Sequence, residues 1–278
     1  MLVLNKTIWT PDNSYLLEYR ERAGTGEIII GQELWQELDN LAEDFHNDRY
    51  YYDTDMAMER MDFMENCVRL TKSPFYGQPM VLMLWQKALI ECLYSFKMAQ
   101  ESRERDMAIN RFQKLLLLIA RKNTKSETSS ALALSEFICG NDGSDIVASS
   151  NDDAQASIVF DAIDTMRQLI DPDNLDSKRN QRYILNRNTN TKIFKLSDRT
   201  ENKEGRNIDF AIVDETHEMK DNIIGKSIEQ SQSLKDNPMF INITTEGFVV
   251  DGYLDDELRK GRKVINSCLL YTSDAADE

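Results

Sequence analysis

From residue 114 onward the sequence alternates short, continuous apolar runs with amphipathic stretches of helical period, and this restricts the fold most. Buried parallel strands read as unbroken apolar runs, and each needs a crossover to its neighbour. Leu115 to Ala120, Asp145 to Ser149, Ile208 to Val213 and Met239 to Thr245 have the strand character. Between them, Ser126 to Cys139 aligns Ala131, Leu134 and Ile138 on one face, and a long helix after Asn151 aligns Val159, Ile163, Met166 and Ile170. Asp152 and Asp153 suit the first turn of that helix, where the dipole favours anions, and Asp171-Pro172 ends it. Gln181 to Asn186 and Thr191 to Leu196 read as a hairpin about Asn188 to Asn190, followed by a polar loop from Ser197 to Asn207. The expected class is α/β, a mainly parallel sheet flanked by helices.

The first 78 residues read instead as mostly helical, with Leu34, Leu38 and Leu41, then Met61, Met64 and Val68, at helical spacing. Acidic residues crowd Glu33 to Asn66, a stretch ill-suited to gripping phosphates and read as a solvated face. Lys72 to Pro79 contains the Pro/Gly break that separates this region from residues 79–266. A helix from Val81 to about Ala99 is expected next, with Leu82, Trp85, Leu89 and Leu93 on one face.

Composition excludes some classes. The formal charge of −15 argues against a surface that coats nucleic acid throughout, though not against a local basic groove. Cys67, Cys92, Cys139 and Cys268 form no C-x-x-C pair and are read as reduced, mostly buried thiols, and with His46 and His217 alone no His-rich zinc site is available. Met1 to Thr10 lacks the pattern of a signal peptide, and no apolar run approaches a membrane span. Ser267 to Glu278 continues no helical period and resembles translated adapter read-through, so the native sequence is expected to end near residue 266; a natural acidic tail is the alternative.

Three segments carry the chemistry. Ile119 to Ser126 follows a strand and opens a helix, the context of a phosphate-binding loop. Lys125 would reach the β- and γ-phosphates and the Ser126 hydroxyl would coordinate Mg²⁺. Ile119 and Thr124 stand at the positions of the two usual glycines, and an ordinary basic turn fits the same residues. In Phe210 to Glu215, four apolar residues place Asp214 and Glu215 at a strand end, where Asp214 could hold Mg²⁺ through water and Glu215 could polarise an attacking water; a plain helix start is the other reading. Asn242 to Gly247 is again a strand with a polar, glycine-ended turn, which puts Thr244 and Thr245 beside the same site or makes a simple connection.

In order and spacing, these segments resemble the ATPase domain of the large terminase subunit of tailed bacteriophages. The family's phosphate loop commonly reads A-R-K-N-G-K-S, here Ala120-Arg-Lys-Asn-Thr-Lys-Ser126. Its acidic motif V-D-E-x-H-E is Val213 to Glu218, its T-T-x-G coupling motif is Thr244 to Gly247, and its P-W-Q segment near the adenine resembles Pro79 to Gln86. Ala148 to Ala156 is similar to its second strand and following helix, so that the likeness covers about residues 20–265.

The resemblance implies an ATP- and Mg²⁺-dependent motor in the host cytoplasm. It would drive double-stranded DNA into a procapsid with a portal protein and a small terminase subunit, as a homo-oligomeric ring and without a membrane. Glu215, Lys125 and Arg121 would be catalytic, with Arg121 acting on the phosphates. Gln86, Arg121, Lys122, Asn123, Thr124, Lys125, Ser126, Thr244 and Thr245 would line the nucleotide, and Ser126 and Asp214 would hold the metal. Full-length members carry a ribonuclease-H-like nuclease domain; the chain stops before it, and no nuclease activity is expected. A helicase-like translocase and a degenerate nucleotide-binding module without turnover remain the alternatives, the latter because a β-branched Thr124 is costly wherever φ is positive. His217 is read either as a sensor of the phosphate state or as a polar helix start. The basic stretch Lys178 to Arg206 is read as DNA-facing, subunit-facing or solvated.

Overall fold

The computed structural model describes residues 7–101, 108–196, 207–247 and 249–266. The elements run α1 (Tyr15–Gly24), α2 (Gln32–Asp44), β1 (Tyr50–Tyr52), α3 (Asp55–Asn66), α4 (Leu84–Ser95), β2 (Phe96–Met98), β3 (Lys114–Leu118), α5 (Lys125–Cys139), β4 (Asp145–Ser150) and α6 (Asp153–Ile170). Then come β5 (Ser177–Arg179), β6 (Tyr183–Asn186), β7 (Lys192–Leu196), β8 (Ile208–Asp214), a 3₁₀ turn (Thr216–Glu218), α7 (Ile223–Gln232), β9 (Met239–Thr244) and α8 (Tyr253–Ile265). They form two compact units, each assembled from separated stretches: residues 1–58, 82–111 and 262–278 in one, 59–81 and 112–261 in the other.

In the first unit α1 packs on α4. Ser14 caps α1, its side chain accepting from the Leu17 N–H. The buried Glu91 carboxylate accepts the Leu16 N–H at 2.7 Å and the Tyr52 hydroxyl, which joins α1, β1 and α4. Trp9, Phe45, Tyr52 and Phe96 stack at tilted and edge-on angles. The helix expected to run to Ala99 ends at Ser95. Phe96, Lys97 and Met98 instead pair antiparallel with Tyr50 to Tyr52, because aromatic partners in a tertiary ladder override a weak local helical period.

The second unit is built on a seven-stranded sheet in the order β3-β9-β8-β4-β7-β6-β5. The pairs from β3 through β7 are parallel, and β7, β6 and β5 complete it as an antiparallel meander. The mixed α/β class and mainly parallel sheet are those expected. On one face Val147, Ala211, Val213 and Phe240 pack with Ile224 and Ile228 of α7 and Tyr253 of α8. By strand alternation Phe210 and Ile212 point to the other face, and α5 and α6 lie against each other and against β4. Asp152 caps α6, accepting from the Gln155 N–H at 2.9 Å.

One strand departs from expectation. Leu115 to Leu118 reads as a fully buried run, yet β3 is an outer strand, paired only with β9 among the described residues; Leu115 to Leu117 are half-buried and Leu118 is 45% exposed. Residues 197–206 and 267–278 lie outside the described residues, and with them the expected polar loop and tail.

Candidate active site

β3, β9 and β8 are adjacent and parallel, so the segments that follow them emerge at the same carboxyl edge of the sheet. At a strand spacing of about 4.8 Å, this brings residue 125 within reach of residue 214 across one intervening strand. Ligands of open α/β sheets bind in such a crevice. Here it is a cleft of about 400 Å³, lined among others by Arg121, Lys122, Thr124, Lys125, Ser126, Glu215 and Thr245.

The Lys125 ammonium lies 2.9 Å from Asp214 Oδ1 and 2.6 Å from Glu215 Oε1, and all but a small part of its side chain is buried. Burial pushes the Asp214 carboxyl above the usual carboxylate range, the Lys125 charge beside it opposes that rise, and the neighbouring Glu215 adds to it. Asp214 is held from two sides, its Oδ1 accepting the Glu215 N–H at 2.8 Å and its carbonyl accepting the Ser150 hydroxyl at 2.9 Å. α5 begins at Lys125, and its Thr128 N–H donates to Thr124 O at 2.9 Å. The N–H groups of a helix's first turn have no acceptor within the helix and point to the cleft end of its axis.

Glu215 joins this charge cluster to β9. His217 Nδ1 sits 3.2 Å from Glu215 Oε2 and 3.0 Å from Thr244 Oγ1, which also accepts the His217 N–H at 3.0 Å. His217 is thus buried in a 3₁₀ turn rather than starting an α-helix. Gly247 lies flat against its ring, where an added Cβ would come within 2.4 Å of Cδ2. Backbone strain gathers at the same place. Lys122, Thr124 and Glu215 all have positive φ, at 68°, 58° and 56°, and all three line the cleft.

The expected site residues are therefore placed differently from one another. Arg121, Lys122, Thr124, Lys125, Ser126, Glu215 and Thr245 share the cleft, and Asp214 lies beneath Lys125. The Thr245 hydroxyl is buried with no hydrogen-bond partner among the described residues. Thr244 is wholly buried as the support of His217 and Asn123 is exposed on the loop; neither lines the cleft. Gln86 belongs to the other compact unit, where its Oε1 accepts the Met83 N–H at 2.7 Å. Sequence reasoning gave no site role to Thr71, Lys72, Glu127, Gln155 and Glu218, which line the cleft too; the Pro/Gly break, the Ala148 to Ala156 stretch and the acidic motif marked the segments of Lys72, Gln155 and Glu218. Of the basic stretch after Lys178, Arg179 pairs with Asp161 and Asp164, Lys195 pairs with Asp153, and Lys192 lies over Tyr183. A larger hollow between Pro11 and Glu27 is lined by Asp12, Glu18, Glu21 and Glu27, and its one cation, Arg22, is paired with Glu18 and Glu27.

A family model described as the terminase large subunit, ATPase domain, matches residues 84–263, more than half of the chain. The chain belongs to that family. Among solved structures, the large terminase of bacteriophage HK97 superposes with a TM-score of 0.62 at 22% identity, over 75% of this chain and 41% of its own, which shows a shared fold. The ATPase domain of the large terminase of Thermus phage P74-26 matches over 49% of this chain and 61% of its own, at 21% identity and a TM-score of 0.41. No curated protein matches. The chain spans about two fifths of the length of the HK97 terminase, and in this terminase ATPase fold the cleft at the ends of β3, β8 and β9 holds the candidate catalytic groups.

Proposed function

We propose that the chain is the ATP-hydrolysing motor portion of a phage large terminase, which drives double-stranded DNA into a procapsid. The observation that carries this reading is the convergence of Lys125, Asp214 and Glu215 at the N-terminus of α5, in a chain of the terminase ATPase family. The ammonium at 2.6–2.9 Å from two carboxylates reports a place built for positive charge. Among the described residues no three His, Cys, Asp or Glu side chains gather into a cage. An ion here would complete its shell with phosphate oxygens and water, which suits Mg²⁺. Ser126 and Asp214 would hold it, and when bound it neutralises charge developing on the phosphates.

The chain's own groups supply the rest. The α5 N–H groups and Lys125 hold the phosphate tail, and Arg121, exposed at the rim, adds a charge that suits phosphate oxygens bidentately. Glu215 orients and polarises the attacking water, with the His217 ring 3.2 Å from its far oxygen. The Lys122, Asn123 and Thr124 backbone shapes the loop, and Thr245 contributes its unpartnered hydroxyl. Gln86 and a role at the adenine follow from the family resemblance alone. Double-stranded DNA, a portal protein, a small terminase subunit, a homo-oligomeric ring and the host cytoplasm are the setting this reading carries; no helix among the described residues is long and apolar enough to cross a membrane.

Mg-ATP binding by titration calorimetry and phosphate release with added DNA test the reading. Lys125→Ala loses binding by tenfold or more, and Glu215→Gln keeps binding but loses turnover. Equal binding by Lys125→Ala overturns the phosphate-loop assignment.

A further inference from the structure

One cation at this cleft belongs to neither the phosphate loop nor the acidic strand end. Residues 69–79 fold back on themselves as a small hairpin: Arg69 bridges Pro79, the Leu70 N–H donates to Gln78 O at 2.9 Å, and the Gly77 N–H donates to Leu70 O at 2.9 Å. The hairpin is tied to the start of α5. Thr71 donates to Glu127 Oε1 twice, from its N–H at 3.2 Å and from its hydroxyl at 2.7 Å. Glu127 directly follows Ser126, so this tether holds residue 72 beside the first turn of the helix.

Lys72 lines the cleft together with Lys125, Ser126 and Glu127. It is exposed and makes no ion pair among the described residues. Lys125, Lys114 and Lys195 of this unit are instead engaged, by Asp214 and Glu215, by Glu229 and Glu257, and by Asp153. An exposed ammonium on a hairpin tethered to the first turn of a helix, lining the same cleft, is within reach of an anion that the turn binds.

We propose that Lys72 is a second phosphate-binding lysine, contacting the phosphate tail of the nucleotide from the wall opposite the loop, with the Thr71–Glu127 tether as its positioning device. This inference rests on the ATP-binding reading of the cleft. A compact, strongly hydrated ammonium on a flexible stem acts there as a point charge, and fixing the preceding Thr71 through its N–H and its hydroxyl lowers the ordering cost of using it.

Titration calorimetry with Mg-ATP on the whole chain decides it, with the melting temperature of each variant as a folding control. Lys72→Ala should weaken binding about tenfold, equivalent to about 1.4 kcal/mol, at an unchanged melting temperature. Lys72→Arg should stay within about twofold of the wild type, because the charge is kept. Thr71→Val removes the hydroxyl bond alone and should fall between the two. Wild-type affinity in Lys72→Ala, or equal losses in Lys72→Ala and Lys72→Arg, overturns the proposal. If the unaltered chain binds no Mg-ATP, the nucleotide reading of the cleft fails, a result distinct from one in which the wild type binds and Lys72→Ala binds equally.

Discussion

Three non-glycine residues in left-handed backbone at one cleft are costly, at about 1–3 kcal/mol each, and such strain persists where the surroundings over-determine it. Thr124 is the β-branched case, with φ of 58°; its hydroxyl donates to Asn123 O at 2.7 Å and its carbonyl accepts the Thr128 N–H and hydroxyl, both at 2.9 Å. Thr124→Gly relieves that conformation and should raise the unfolding free energy by up to about 1 kcal/mol, seen as a higher denaturation midpoint, after the entropy that glycine adds to the unfolded chain. A lower midpoint would show that Thr124 is well accommodated. Gly247 has the opposite constraint, close approach. Gly247→Ala drives a methyl into the His217 ring, at about 1–3 kcal/mol of overpacking. Since the His217 ring sits 3.2 Å from Glu215 Oε2, the variant should lose phosphate release while retaining nucleotide affinity. Full turnover in Gly247→Ala would mean that the ring's position is immaterial.

The outer strand β3 carries the phosphate loop, and side-chain charges hold it to the helices behind it. Lys114 reaches Glu229 of α7 at 2.7 Å and Glu257 of α8 at 2.8 Å. Burial alone would raise the Glu257 carboxyl; the Lys114 ammonium, helped by Lys260, outweighs it and holds the group below the usual range. A lowered carboxyl stabilises the fold above the unfolded-state value of about 4.3, and that contribution disappears as pH falls through the lower folded value. Glu257→Gln should therefore cost about 1–2 kcal/mol at pH 7, the moderate figure reflecting the part-exposed Lys114. The gap to the wild type should close on acidification below about pH 4. A gap that persists unchanged in urea titrations at pH 3 would assign the loss to packing instead.

At the scale of the molecule, the cleft's residues come from the hairpin of residues 69–79, from β3 and α5, from α6, and from the ends of β8 and β9. A ligand that binds them all binds only the folded state. Mg-ATP at about 100 times its Kd should therefore stabilise the chain by about 2.7 kcal/mol, seen as a rise of several degrees in the melting temperature. Lys125→Ala should abolish that rise. A rise of the same size in Lys125→Ala would place the bound nucleotide elsewhere.

The alternation of apolar runs and helical periods determined the α/β class and the strand-to-helix positions of both motifs, because burial on two faces demands continuous apolar strands. The hairpin of β6 and β7 was equally legible from its turn residues, as was the end of α6 at Asp171. Sequence alone also placed Lys125, Asp214 and Glu215 as candidates, since Lys125 opens the helix that follows an apolar strand and the two carboxylates stand at the end of another. Other features were decided only in three dimensions. Strand order depends on which apolar faces pack, so the outer place of β3 could not be read from Leu115 to Leu118. Phe96 to Met98 became a strand because Tyr50 to Tyr52, distant in sequence, offered a ladder. Thr244 turned from a nucleotide neighbour into the support of His217, and Lys72 joined the cleft, through hydrogen bonds between residues far apart in the chain. Local pattern reports what a residue prefers; only the packed sheet decides what it meets.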